Sequence, residues 1–198
     1  MRRFGLALLL AVTVLVGVAG AQCDISGTIT AAASGDPLLP AWEYTLTVTW
    51  DTGTPYGLSH LDLLLDPVGG TCDCSDFQAA LFLIQPAGTS GGVGGCTVPY
   101  NVFLECGGDP SIPGVDGILM KFEPDESAGC EPDNTGMATF TFYSDLGPVP
   151  VDENILSLVD KYATQHCFGN LSGMFPGMAC NPVPGADTTW GSVKGMYR

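Results

Sequence analysis

Five carboxylates and one amide crowd a single cysteine: Glu123, Asp125 and Glu126 precede Cys130, and Glu131, Asp133 and Asn134 follow it. Oxygen-rich loops of this kind can hold calcium, which takes about 6–8 oxygen ligands. The spacing is not that of the helix-loop-helix calcium signature, so the same residues also read as a solvated acidic loop. Calcium is the one cofactor the sequence suggests. The histidines offer less. Ser59 and His60 are neighbours, and on a strand they project to opposite faces, so they cannot pair as nucleophile and base. His60 then reads as an outer-face or edge hydrogen-bonder, sharing that face with Asp62. His166 adjoins Cys167, which is a nucleophile only if its thiol is reduced. The chain has no Gly-x-Ser-x-Gly elbow, zinc-protease motif or phosphate loop. Asn170-Leu171-Ser172 fits a glycosylation sequon. A chain so rich in carboxylates leaves acid–base hydrolysis open, but abundance is not arrangement.

The compartment follows from the first residues. Arg2 and Arg3 precede an apolar run from Leu6 to Val18, and small residues follow at Ala19, Gly20 and Ala21. This pattern predicts a signal peptide over 1–21, since a spanning helix wants about 20 apolar residues. Cleavage after Ala21 would leave Gln22 in front of Cys23. Gln22 is not the small residue that precedes a lipid-modified cysteine, and acylating Cys23 would leave an odd thiol outside the cell. Export instead predicts that Cys23, Cys72, Cys74, Cys96, Cys106, Cys130, Cys167 and Cys180 form a disulfide framework. The pairing is not readable from spacing, except that Cys72 and Cys74 are too close to bridge each other without strain and must reach different partners. A thiolate metal site is disfavoured because paired Cys-x-x-Cys motifs are missing.

Six Lys and Arg stand against 21 Asp and Glu, a net charge of −15 that losing Arg2 and Arg3 makes two units more negative. Such a field repels phosphate backbones and anionic headgroups, so nucleic acid is excluded as a partner, and nothing after the signal predicts a transmembrane segment. An extracellular protein or glycan is the expected partner.

The chain is long enough for one domain, 198 residues of which 45% are hydrophobic. Trp42 to Trp50 alternates large apolar with polar residues, which predicts a strand with Trp42, Tyr44, Leu46, Val48 and Trp50 facing the core. Leu58 to Asp66 reads as the next strand, with Leu61, Leu63 and Leu65 inward. Further strands are predicted over Ile25–Ala33, Phe77–Gln85, Val98–Cys106, Ile118–Phe122 and Ala138–Ser144. Ile155, Leu158, Val159 and Tyr162 match a helical face with Asp152 as its cap, but the all-β context favours a strand. There is no internal repeat. Many short strands between Gly- and Pro-rich segments predict an antiparallel β-sandwich domain over 22–180 with disulfide-stapled loops. Residues 181–187, Asn-Pro-Val-Pro-Gly-Ala-Asp, read as a Pro-rich linker to a tail over 188–198.

Tyr44-Thr45-Leu46-Thr47-Val48-Thr49, a glycine-containing turn and Gly57-Leu58-Ser59-His60 together resemble a family of secreted bacterial surface domains in which a YT-x-TV strand precedes an LSH strand. Met137 to Ser144 and Phe168 to Gly173 are similar to that family's final strands and terminal loop. The resemblance implies an immunoglobulin-like sandwich and carries no activity. The cysteine-rich segment between Gly69 and Cys130 departs from the pattern. The tail, with Trp190, Lys194, Tyr197 and Arg198, resembles a Trp-Gly-x-x-Lys-x-x-Tyr-Arg ending on some exported bacterial proteins, which implies sorting or docking. The alternative is a last element packing Trp190, Val193 and Tyr197 on the domain. The expectation is a secreted or cell-surface binding or structural module without catalysis. Its alternatives are a calcium-dependent carbohydrate-binding module using exposed aromatics such as Tyr56 or Tyr100, and a small hydrolase using paired carboxylates.

Overall fold

The computed structural model describes residues 23–66, 71–125, 127, 129–151 and 157–178; the signal, the linker, the tail, Cys180 and Glu126 lie outside them. In chain order the elements are β1 Asp24–Ala33, β2 Trp42–Asp51, β3 His60–Asp66, α1 Cys74–Ala80, β4 Phe82–Gly91, β5 Thr97–Glu105, β6 Ile118–Pro124, β7 Thr135–Ser144, β8 Pro148–Pro150, β9 Ser157–Tyr162 and β10 Gln165–Pro176. Among the described residues the protein is all-β but for α1 and a short 3-10 turn over Val93–Gly95.

The strands run β1-β2-β7-β4-β5-β6-β3-β9-β10, and β10 returns to β1 in parallel register, Ser26 to Asn170 through Ile29 to Gly173. This closes a nine-strand barrel in place of the two open-edged sheets of the expected immunoglobulin-like sandwich. The difference lies in one pairing between the first and last strands, which no local pattern encodes. Closure removes the unpaired edges that an open sheet must otherwise protect.

Alternation fills the interior. Tyr44, Leu46, Val48 and Trp50 are buried on β2 as expected, with Trp42 partly buried at the rim. Tyr44 stacks on Phe142 with centroids 5.3 Å apart, and Phe122 lies 4.3 Å from Phe140. Each such side chain contributes about 1.5–3 kcal/mol by leaving water. The interior hydroxyls are satisfied: Tyr44 donates to the Leu146 carbonyl at 2.7 Å, and the Tyr100 hydroxyl lies 3.1 Å from Ser90 Oγ. Tyr100 is wholly buried, so it cannot serve as the exposed aromatic expected of it.

Two other expectations change. The strand expected over Phe77–Gln85 is instead α1 followed by β4. Asp73 caps the helix by accepting from the Ser75 and Asp76 N–H groups, while Asp76 accepts from the Asp73 N–H. That reciprocal box starts a helix that seven residues of propensity would not. The second change is at β3, where not only Leu61, Leu63 and Leu65 but also His60, Asp62 and Leu64 are buried. The segment between β5 and β6 folds over the outer face of β3, and its Ile112 and Val115 form a second small apolar cluster with Leu64, Leu119 and Val159. The segment favoured as a strand is one over Ser157–Tyr162, with Leu158 in the main core and Val159 in the outer cluster, while Asp152 and Ile155 lie outside the described residues.

Cys23 bridges Cys167, Cys74 bridges Cys106, and Cys96 bridges Cys130. Cys72 is also disulfide-bonded, so Cys72 and Cys74 have separate partners, as their spacing requires. With Cys23 and Cys167 joined, Cys23 is not free for acylation and Cys167 offers no thiol beside His166. These bridges indicate an oxidising environment. Among the described residues no helix is long and apolar enough to cross a membrane.

Candidate functional site

The chemistry gathers on the outer face of β5, β6, β3, β9 and β10. Because side chains alternate along each strand, cross-strand register aligns the outward ones in rows. One row runs Phe103, Lys121, Asp62, Val159, Phe168. In the neighbouring row Asn101 faces Glu123, and Lys161 lies between His60 and His166. Two strand residues apart, His60 and Asp62 therefore project side by side, where alternation put them; what the alternation does not reveal is that they are covered.

The cover delivers a third residue, Asp109. Gly108 N–H donates to the Gly117 carbonyl at 2.7 Å and Asp109 N–H to the Val115 carbonyl at 3.0 Å, so the segment folds as a tight hairpin. Gly108 has φ +76°, and a Cβ there would stand 2.3 Å from the Val115 carbonyl oxygen, so only glycine fits. The Cys74–Cys106 bridge anchors the start of this segment against α1. Asp109 Oδ1 accepts from the Ser111 N–H at 2.7 Å, which leaves Oδ2 to point at the sheet.

His60 Nε2 lies 2.7 Å from Asp109 Oδ2 and 3.8 Å from Asp62 Oδ2. Lys121 Nζ is 3.3 Å from Asp109 Oδ2 and 2.9 Å from Glu123 Oε1. Side-chain exposure is 8% for His60 and 0% for both aspartates. Burial, with help from Lys121, lowers the His60 pKa to about 4, so its imidazole is neutral. Burial and the neighbouring Asp109 charge push Asp62 up to about 8. Burial would also raise Asp109, but Ser111, His60 and Lys121 outweigh it and bring it down to about 2. Two carboxyls a few ångströms apart thus differ sharply in proton affinity.

One wall of this cluster is open. A hollow of about 410 Å³ is lined by Ser59, His60, Asn101, Phe103, Glu123 and Asp125, among others. Phe103 is 43% exposed there. A larger hollow of about 590 Å³ lies between α1 and the turn after β7, walled by Leu81, Phe82, Leu146 and Met178. Among the described residues no group of metal-ligating side chains gathers in it.

Glu123 pairs with Lys121, and Asp125 accepts from the Ser127 N–H and hydroxyl at 3.0 and 2.6 Å. Asp133 Oδ1 accepts from the Asn134 N–H, and Glu131 is exposed beside the Cys96–Cys130 bridge. Among the described residues, only His60, Asp62 and Asp109 bring three ligand atoms within 4.8 Å of one another. The sequence singled out His60 and Asp62 as sharing a face but missed Asp109 and Lys121. The legible signal was Ile112 and Val115, apolar residues in a Gly-Pro-Asp segment that must bury against something. Tyr56 is 60% exposed but stands outside the hollow's lining. No protein-family model matches the chain, and no curated protein matches it.

Proposed function

We propose that this chain is an exported, non-catalytic binding module whose contact surface is the hollow beside β5 and β6, and whose partner is an uncharged or basic extracellular glycan. The observation that carries the reading is the half-exposed Phe103 ring set among Asn101, Glu123 and Asp125 on the wall of a rigid barrel. An aromatic face takes the apolar C–H face of a sugar, while amide and carboxylate oxygens take its hydroxyls. The packed interior supports an external site, since Tyr44, Tyr100, Phe122, Phe140 and Phe142 occupy the barrel. The acidic surface disfavours sulfated or sialylated sugars. The disulfides favour an extracellular or cell-surface setting. The likeness of β2 and β3 to secreted bacterial surface domains agrees with that setting, although a closed ring differs from the sandwich it implies.

The test is a glycan array probed with the native chain, with and without chelator. Binding to neutral glycans is expected, with an affinity loss of about tenfold or more in Phe103→Ala at unchanged melting temperature. An empty array, or binding indifferent to Phe103, would overturn the reading. Binding lost with chelator and restored by calcium but not by zinc would favour the calcium-dependent module. Turnover of a bound glycan, lost on substituting one carboxylate, would favour the hydrolase.

A further inference from the structure

We propose that His60, Asp62 and Asp109 form a binding site for a zinc-class divalent metal ion. Four buried polar atoms, His60 Nε2, both Asp62 oxygens and Asp109 Oδ2, meet here without an aligned hydrogen bond, although Asp109 Oδ2 is ion-paired with Lys121. An unpaired buried carboxylate is costly, and natural cores keep such groups only where something compensates them. Here the atoms converge. Around a tetrahedral zinc with ligands at about 2.0–2.2 Å, donor atoms lie roughly 3.3–3.5 Å apart. The separations from His60 Nε2 to the two aspartates, 2.7 and 3.8 Å, bracket that spacing, and the close His60–Asp109 approach lacks hydrogen-bond alignment.

Lys121 does not fill the site. Its ammonium is held between Asp109 Oδ2 and Glu123 Oε1, and no ion pair joins it to Asp62. A divalent ion would add what is missing: it displaces the Asp62 proton to solvent, after which two carboxylates and a neutral imidazole balance its charge, while Lys121 and Glu123 balance each other. His60 lines the open hollow, so a water can enter and take the fourth position. Calcium fits poorly, since it wants about 6–8 oxygens and this set has three side chains, one of them nitrogen. All described cysteines are disulfide-bonded, so no thiolate competes for the ion. The position is supported from behind: β3 fixes His60 and Asp62, and the hairpin over Gly108–Gly117 fixes Asp109.

The test is calorimetric titration of the full chain, stripped with chelator, with zinc alone. One ion per chain is expected, and affinity should fall by about tenfold or more in Asp62→Asn and in His60→Gln. Zinc should raise the melting temperature of the wild-type chain and not of the variants, and equimolar calcium should not displace it. No binding, binding unchanged in both variants, or displacement by calcium would overturn the proposal. Should either variant fail to fold, zinc-edge X-ray absorption of the wild-type complex decides. A first shell of oxygens with one imidazole supports the site, and an all-oxygen shell overturns it. No glycan enters this test, so its failure leaves the glycan reading standing, and the converse also holds.

Discussion

Asp160 is wholly buried on β9, opposite Leu61 on one side and Cys167 on the other, with no aligned hydrogen bond to either carboxyl oxygen and, among the described residues, only the backbone N–H groups of Cys167 and Asp160 near enough to stabilise its charge. It faces the barrel interior, away from the His60 cluster. Burial raises its pKa to about 7, and its charge helps raise that of Tyr162. The ordinary carboxyl titrates near about 3.9. Because the folded state holds the proton more tightly, stability is full below that value, falls as pH rises towards about 7, and is level above. Asp160→Asn removes the titration, so its stability advantage over the wild type should grow between about pH 4 and pH 7 and then stay constant. The plateau is expected on the order of 1–2 kcal/mol after solvent screening. Urea midpoints at a series of pH values check this, and an advantage independent of pH would refute it. Asp160 was illegible in the sequence for the same reason that His60 and Asp62 were misread as solvent-facing. A polar residue at an alternating position normally marks the wet face, and only the tertiary structure reveals that both faces of β3 and β9 are dry.

At the scale of elements, strands with clean alternation were legible and the pieces between them were not. β2 follows its pattern residue by residue, whereas α1 is too short to show a helical period and is marked only by Asp73 and Asp76 at capping spacing. The covering hairpin between β5 and β6 has no period at all, yet it supplies Asp109. The disulfides divide their work accordingly. Cys74–Cys106 ties α1 to the segment that follows β5, and Cys96–Cys130 ties the residue before β5 to the loop ahead of β7, while Cys23–Cys167 spans 144 residues to hold β1 near β10. A bridge closing so long a loop restricts the unfolded chain strongly. Replacing both Cys23 and Cys167 with serine should cost about 2–5 kcal/mol, read as a lower urea midpoint. If the double variant matches the wild type, the bridge does not contribute to stability.

For the molecule as a whole, the charge ratio was legible at once and the topology was not. With 21 acidic residues against six basic ones, like charges crowd a small surface. Raising ionic strength from about 0.01 M to 0.15 M shortens the screening length from roughly 30 Å to 8 Å. The melting temperature should therefore rise by a few degrees over that range, and a fall would mean that attractive ion pairs dominate. The ring itself could not be read, because alternation reports which side of a strand is wet and not which strand lies beside it. Its seam has a consequence for how the protein is made. β1 is synthesised first, yet its parallel neighbour β10 is the last strand of the ring to be made. Until then both β1 and β9 offer naked backbone to any passing strand, and a chain cut short before residue 165 would keep those edges for good. The seam thus acts as a completeness check, by which only a finished chain can withdraw from aggregation.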